Sequence, residues 1–505
     1  MTANAKRLLT AFFIWLLMAG LFQPELATAV GTYVASVDGT GYDSLEKACD
    51  AAKKNAGTVV LLRDINMDRS YLTISSTVTV DLNGYSISAM SGGFVFYINS
   101  GDLTLKSGNG KGYINGGGYS YGIIWNRNGK LTVEDGVVLQ NNHMTNGYGG
   151  AVYNTGTFIM NGGTIQNTSN YSGGAIYNNG GTFEMTGGTI QNTSATYYGG
   201  AVCNGESGQI KMSNGLISNC TAAYGGGGVH LESGSFTMSG GTIEECKVTG
   251  SVHYWGDEDS SSNGGGGVSI RSSASFTMTD GLIWKNKSYG GDGGGGVAND
   301  GSFAMSGGQI IMNDATNAGG YSDDGGGVNN NVGMMTMSGG IIAKNVGMGG
   351  VCSGTPASKL TITGGAVFEN SALDSPAAAL PEKSKKTDIV LNTDHQTNNY
   401  VSVCAASEMS TDGYTFTAWE YLGTGWSFAS PYVGTALAGK IPPESSEIEF
   451  DKANTHAFFR AVYTSPEIEE KEGIYLDGVL GDDNRDGTSV SNAVRTFEKA
   501  WALAN

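Results

Sequence analysis

Three apolar positions recur along the chain from Val152 to Val367, separated by short polar stretches rich in glycine. The first position follows a Gly-Gly pair, the second is usually Met, and the third is usually Ile. The step from the second to the third position is five residues in all eight copies, beginning with Met160 and Ile165. The step from the first to the second varies between eight and eleven residues. The first positions are Val152, Ile176, Val202, Val229, Val268, Val297, Val328 and Val351.

Each copy therefore contains three short strands separated by turns. The segments "TFIM" and "TFEM" alternate apolar and polar residues, which is the period of a strand. A unit of about 25 residues cannot bury its own apolar face, so the copies must stack. A leucine-rich repeat would need a Leu-rich frame, which the sequence lacks. The pattern predicts an all-β chain folded as a right-handed parallel β-helix of about eleven coils, roughly 50 Å long at the strand spacing.

Stacking turns alignment columns into ladders of side chains. The Met column predicts core packing rather than a metal site. Asparagines fall in two columns, which we interpret mainly as amide ladders that satisfy the turns, with glycan contact as the alternative. Cys220 and Cys246 share one column in adjacent coils, which allows either a disulfide or two buried thiols. The asparagines are Asn154, Asn178, Asn204, Asn299 and Asn330 in the first column, and Asn286, Asn313, Asn345 and Asn370 in the second.

The spacing "GGAVYN…F-x-M-x-GG-x-I" resembles the right-handed parallel β-helix repeats of bacterial cell-surface proteins. That superfamily also includes pectate lyases and adhesin passenger domains, and the resemblance covers residues 60–372. It implies a fold more than a function, because the superfamily includes lyases, hydrolases, adhesins and inert stalks.

The two ends of the chain differ from the repeats. Residues 31–57 predict a strand, a turn and an amphipathic helix with Ser44 as N-cap, similar to the cap of β-helix proteins. The segment 473–505 resembles that start, which predicts a second β-helix truncated at Asn505. Between them, linkers are expected at 374–388 and 464–472, around a small β module at 389–463 that resembles "GYTFxGW" surface-protein repeats. The cap and first β-helix together are expected to span 30–373.

The N-terminus and the charge suggest where the protein acts. Lys6 and Arg7 precede an apolar run, and Ala27-Thr28-Ala29 is a small-residue cleavage pattern, so residues 1–29 are expected to be a signal peptide. The mature chain is then secreted to the extracellular cell surface without inserting in a membrane. A net charge of −18 argues against a nucleic-acid partner. A monomer is expected.

The most informative column lies five residues before the first apolar position. It contains Tyr171, Tyr197 and Tyr224, followed by Asn263, Asp292 and Asp323, and long insertions accompany the acidic members. Tyrosines at the coil spacing present surfaces to sugar rings, and acids bind hydroxyls or a cation. We therefore expect a non-catalytic, adhesin-like stalk that binds a polysaccharide or host glycan, with a packed tyrosine corner and an inert spacer as the plainer alternative.

An enzyme is the second hypothesis. Asp292 and Asp323 on adjacent coils are expected to stand about 5 Å apart, near the separation of a retaining glycosidase pair. Such an enzyme would be a polysaccharide lyase or hydrolase, with Lys285, Lys287 or Arg271 as base or stabiliser. No cofactor is required, but calcium remains open. Asp482, Asn484 and Asp486 match the first half of a calcium loop, whose twelfth position is Ala493 instead of the usual Glu.

Overall fold

The computed structural model describes most of the repeat region and six strands beyond it. Its described residues are 33–55, 57–250, 264–289, 293–316, 325–347, 349–353, 359–368 and 370–372, followed by 389–392, 400–403, 415–425, 440–441, 447–449 and 456–464.

A small cap begins the described chain. The hairpin of β1 (Ala35–Val37) and β2 (Thr40–Tyr42) leads into the helix α1 (Leu45–Asn55). The backbone N–H of Lys47 donates to Ser44 Oγ at 3.2 Å, which confirms Ser44 as the N-cap. Strand β1 also pairs antiparallel with β3 (Thr58–Leu61), so the hairpin lies against the first coil. Strand edges at the start of the solenoid are thereby covered.

The solenoid consists of short parallel strands. Its first coils contain β3, β4 (Ile65–Asn66), β5 (Leu72–Ile74), β6 (Val78–Asp81), β7 (Ser86–Ser88), β8 (Phe96–Asn99), β9 (Asp102–Lys106), β10 (Gly112–Asn115), β11 (Ile124–Arg127), β12 (Lys130–Val133) and β13 (Val137–His143). The middle coils contain β14 (Val152–Asn154), β15 (Thr157–Met160), β16 (Thr164–Asn170), β17 (Ile176–Asn179), β18 (Thr182–Met185), β19 (Thr189–Gln191), β20 (Ser194–Ala195), β21 (Val202–Gly205), β22 (Gln209–Met212), β23 (Leu216–Ser218) and β24 (Thr221–Ala222). The later coils contain β25 (Val229–Glu244), β26 (Lys247–Val248), β27 (Val268–Trp284), β28 (Lys287–Ser288), β29 (Val297–Asn299), β30 (Ser302–Ile311), β31 (Val328–Asn330), β32 (Met334–Ala343), β33 (Val346–Gly347), β34 (Val351–Ser353), β35 (Lys359–Phe368) and β36 (Ser371–Ala372).

Each coil contributes one strand, or part of a longer strand, to each of three faces. The first face runs through β5, β8, β11, β14, β17 and β21 to the start of β25, each pairing in parallel with the next. The second face begins at β3 and β6, and the third at β4 and β7. The predicted all-β parallel β-helix is confirmed, with about 10 turns where about eleven coils were predicted.

The core is built from the three repeated apolar positions. The methionine column is in register from Met160 through Met185 and Met212, and all three side chains are buried. Two residues before the second apolar position, phenylalanines of several coils stack in the same interior, such as Phe276 on Phe303 at 5.0 Å. Burying each such side chain contributes about 1.5–3 kcal/mol.

Glycine is required where the chain turns between the second and third faces. Gly241 has a φ of +83°, and a Cβ there would lie 2.6 Å from Met212 Cε of the preceding coil. Gly308 repeats this relation with Met278, again at 2.6 Å. The glycine and the methionine of successive coils therefore occupy complementary volumes, which explains why they recur together.

Both predicted asparagine ladders are present. In the first, Asn126 Nδ2 donates to Asn154 Oδ1, Asn154 to Asn178 and Asn178 to Asn204, each at 2.7 Å. Leu231 and Ile270 interrupt this ladder. It resumes where Asn299 donates to Asn330, again at 2.7 Å.

The second ladder runs along another corner. It links Asn286, Asn313, Asn345 and Asn370 by bonds of 3.0 Å between neighbouring side-chain amides. In the preceding coils its place is taken by Cys220 and Cys246, both buried and free. The alternative left open by the sequence is thus settled in favour of buried thiols.

In every coil from β13 to β32, one residue at the corner after the inward-facing apolar residue of the third face has a positive φ, in the left-handed region. Asparagine occupies this corner in four coils, at Asn141, Asn167, Asn192 and Asn219, with φ between 52° and 62°. The next four coils place Glu245, Lys285, Met312 and Lys344 there, with φ between 51° and 56°. Asparagine tolerates this conformation better than these longer side chains do.

The described strands beyond the repeats continue the sheet and then reverse it. They are β37 (Ile389–Asn392), β38 (Tyr400–Val403), β39 (Thr415–Gly425), β40 (Lys440–Ile441), β41 (Glu447–Glu449) and β42 (His456–Thr464). Strands β37 and β38 pair in parallel with β34 and β35, whereas β42 pairs antiparallel with β37 and β39. The division into linkers, small β module and second β-helix stays a prediction.

Candidate functional site

The outer side of the first face carries a row of large aromatic side chains. Strand alternation points the first apolar position inward, so the residue after it projects outward. That residue is Tyr97, Trp125, Tyr153 and Tyr177 in four successive coils, paired in register. Ring centroids of neighbours along this row lie 5.2, 6.0 and 5.7 Å apart.

A second row comes from the turn that leads into each first-face strand. Tyr148 of this row packs on Tyr177 at 4.6 Å, and Tyr121 stacks on Trp125 at 5.1 Å, so the two rows lie side by side. We call the thirteen connected rings the aromatic strip. Its members are Tyr71, Phe94, Tyr97, Tyr119, Tyr121, Trp125, Tyr148, Tyr153, Tyr171, Tyr177, Tyr197, Tyr198 and Tyr224.

The strip reaches solvent along its length. Tyr71, Tyr148 and Tyr171 are 42%, 38% and 36% exposed, so these three rings contribute directly to the solvent-facing surface. Desolvation raises the pKa of Tyr171 and of Tyr177, so their hydroxyls stay protonated at neutral pH. The strip therefore offers apolar ring surface together with neutral hydroxyl groups that donate and accept hydrogen bonds.

Two tyrosine hydroxyls are held by a donor in the following coil. Arg127 Nη1 donates to Tyr97 Oη at 3.0 Å, and Asn179 Nδ2 donates to Tyr153 Oη at 3.1 Å. Each donor stands two residues after the aromatic residue of its own coil. These bonds limit how far the two rings swing, so this part of the strip is held in place by the next coil.

The rings of the strip meet in two geometries. Tyr171 and Tyr197 stack at 4.9 Å with an interplanar angle of 10°, so they cover one another's faces. Tyr197 and Tyr224 are also 4.9 Å apart but at 74°, and Tyr148 meets Tyr171 at 88°. In such perpendicular pairs a ring edge covers only part of the partner's face.

The strip ends at a buried histidine. Tyr198 stacks on His230 at 4.2 Å with an angle of 7°, and the Arg271 guanidinium lies 5.8 Å from the Tyr198 ring centroid. Within the described chain, neither ring nitrogen of His230 has a hydrogen-bond partner. Burial lowers the pKa of His230 to about 3, so the imidazole is neutral across the physiological range.

The structure brings together three of the residues that the sequence singled out. Tyr171, Tyr197 and Tyr224 form consecutive contacts as the column predicted. Asn263, Asp292 and Asp323 lie outside the described residues, so the geometry of the acidic part of the column and of the glycosidase pair stays untested. Asp482, Asn484 and Asp486 lie outside them as well.

The basic residues considered for an enzyme have aromatic or acidic neighbours. Lys285 Nζ lies over the Trp284 ring at 4.2 Å, and Lys287 Nζ is 2.7 Å from Asp314 Oδ2. Within the described ranges, no group of three His, Cys, Asp or Glu side chains is placed to hold a metal ion. No helix among the described residues is both long and apolar enough to cross a membrane.

The outward row from Tyr97 to Tyr177 was missed by the sequence reasoning. Its signal was present, because the residue after the first apolar position is aromatic in successive copies. Comparisons with family models, with curated proteins and with solved structures found no match to this chain.

Proposed function

We propose that this protein is an exported cell-surface β-helix that binds a glycan through the aromatic strip without degrading it. The observation that carries the proposal is the continuity of thirteen rings along one side of the solenoid, with Tyr71, Tyr148 and Tyr171 open to solvent. Aromatic rings stack on the apolar faces of sugars, and tyrosine hydroxyls add hydrogen bonds at the ring edges. Export rests on the N-terminal sequence of residues 1–29.

A structural role for the rings is the competing explanation. Stacked tyrosines on a solenoid also stabilise it, and Tyr171 and Tyr197 do cover one another. Rings that are about a third exposed still contribute to packing, but a purely structural ladder does not require Tyr71, Tyr148 and Tyr171 to keep 42%, 38% and 36% of their surface in solvent. The exposed surface of these three rings is available to a partner, which supports the binding proposal.

The test is retention of polysaccharides on a glycan array by the chain without residues 1–29. We expect retention by this protein and its loss in the double variant Tyr148→Ala/Tyr171→Ala. The matched control is Tyr85→Ala/Tyr113→Ala, because Tyr85 directly precedes β7 and Tyr113 lies in β10, both strands of the third face and away from the strip. Retention that survives loss of Tyr148 and Tyr171 would refute the proposal, as would absence of any retention.

The same experiment separates binding from catalysis. Retained polysaccharide is recovered and assayed for new reducing or unsaturated ends. Their release, and its disappearance in Asp292→Ala, would replace the binding proposal by the enzyme hypothesis. Intact polysaccharide is the result that we expect.

A further inference from the structure

The shape of the aromatic strip limits the shape of its ligand. From β5 to β25 the first face makes six steps between coils, which at about 4.8 Å each gives about 29 Å. Across this direction each coil contributes only one to three rings, drawn from the outward strand row and from the turn. A ligand that uses the whole strip is therefore long and narrow, and it lies parallel to the solenoid axis.

The exposed rings are distributed along this length. Tyr71 stands at the start, before β5, and Tyr148 and Tyr171 stand three and four coils further along. The half-buried Tyr224 stands two coils beyond Tyr171, before β25. Contact points separated by several coils are engaged together only by a chain that spans them.

The charge around the strip favours an uncharged chain. Arg127 donates a hydrogen bond to Tyr97, and the Arg271 guanidinium lies 5.8 Å from the Tyr198 ring centroid. Desolvation raises the pKa of Tyr153 and of Tyr177, and Glu206 and Glu232 respectively add to this rise. Both signs of charge therefore border the strip, and the whole chain carries −18. A polyanionic polymer would be repelled by the protein as a whole without a basic row to hold it.

Resting on the proposed function, we infer that the ligand is an unbranched, uncharged β-1,4-linked polysaccharide lying along the solenoid axis. Equatorial linkages keep such a chain straight and expose apolar ring faces on a flat ribbon, which matches a straight strip. An α-1,4-linked chain of the same sugar coils and leaves the strip after a few units. Each sugar is about as long as one coil step of roughly 4.8 Å, so successive units meet successive coils.

The test is calorimetric titration of the chain without residues 1–29 with β-1,4-linked glucose oligomers of increasing length. Each further contact point is expected to strengthen binding about tenfold, because it is made by a ligand already held. The longest oligomer should therefore bind at least about a hundredfold more tightly than the dimer. The α-1,4-linked glucose oligomer of equal length and polygalacturonate serve as shape and charge controls.

Variants at the two ends of the strip give a second readout. Tyr71→Ala and Tyr224→Ala should weaken the longest oligomer about tenfold each and leave short oligomers unchanged. Affinity independent of length, or equal affinity for the α-linked or anionic control, would overturn the inference. If the β-1,4-linked oligomers do not bind but the array retains another glycan, the inference about the ligand is wrong and the proposed function stands. If the array retains no glycan at all, the proposed function is wrong too.

Discussion

Asn313 offers the sharpest test of what holds the later coils together. Its Oδ1 accepts from the backbone N–H of Asn286 at 2.9 Å and from Asn286 Nδ2 at 3.0 Å. Its Nδ2 faces the carbonyl oxygens of Ile283 at 3.0 Å and Ile311 at 3.1 Å, and Asn345 Oδ1 at 3.0 Å. The two amide hydrogens are shared among three acceptors, so the side chain makes the equivalent of about four hydrogen bonds.

Asn313→Ala removes all of these bonds and leaves buried partners behind. At about 1 kcal/mol for each bond, the free energy of unfolding should fall by about 4 kcal/mol. The matched control is Gln166→Ala on the third face. There an amide ladder with bonds of 2.9 and 3.0 Å is half-buried, so water replaces the lost groups and the cost should stay below about 1 kcal/mol.

Urea denaturation followed by far-UV circular dichroism measures both variants. Because coils contact mainly their neighbours, Asn313→Ala should also uncouple the later coils and separate the transition into two steps. Limited proteolysis with mass mapping should then place the first cuts after β27. A loss for Asn313→Ala no larger than that for Gln166→Ala would refute the idea that the buried ladder stabilises the later coils.

The remaining predictions concern four single positions. Glu245→Asn should raise the free energy of unfolding by about 0.5–1 kcal/mol, because Glu245 has a φ of 52° and asparagine tolerates this conformation better than glutamate. Asn167→Ala at the same corner of another coil should lower the free energy of unfolding by about 1 kcal/mol. The midpoints of urea denaturation measure both changes. Burial, and secondarily Arg271, lowers the pKa of His230 from 6.5 to about 3, so the folded state resists a proton that the unfolded chain accepts. Stability should be full above pH 6.5 and fall as the pH drops towards 3, and His230→Phe should flatten this part of the profile relative to the parent. Gly241→Ala should cost about 2 kcal/mol in thermal unfolding, since its φ is +83° and its new Cβ would meet Met212 Cε; an unchanged melting temperature would contradict this.

The fold was predictable because its strongest constraint is local and periodic. The fixed step from Met160 to Ile165 survives in every copy, and these residues do pack in register inside the solenoid. The second asparagine ladder followed directly, since it stands at a constant distance from the third apolar position. Stacking in register turns such constant distances into spatial contacts.

The aromatic strip was predicted only in part because its turn row has no constant distance. Tyr171 lies five residues before its first apolar position, but Tyr148 lies four before Val152 and Tyr121 three before Ile124. The turns bend differently and still bring these rings side by side. A fixed alignment column follows the strands and loses such residues, which only the folded backbone places together.

The left-handed corners were also outside the reach of the sequence. The four asparagines at this corner are typical of a positive φ, but glutamate at Glu245 and methionine at Met312 have no such preference. The stacked coil imposes the same backbone on both sets.

The near-identity of the coils containing β14 and β17 has a consequence for how such a chain changes over generations. Every position from Val152 to Asn154 pairs with its equivalent one coil later, and the same holds from Thr157 to Met160. Removing or duplicating one whole coil therefore leaves each stack of equivalent side chains continuous. An insertion of any other length within a strand would shift the register and interrupt these stacks. Unequal recombination between the two matching gene segments would thus lengthen or shorten the rod in steps of about 4.8 Å. The length of the solenoid therefore changes during evolution by whole coils.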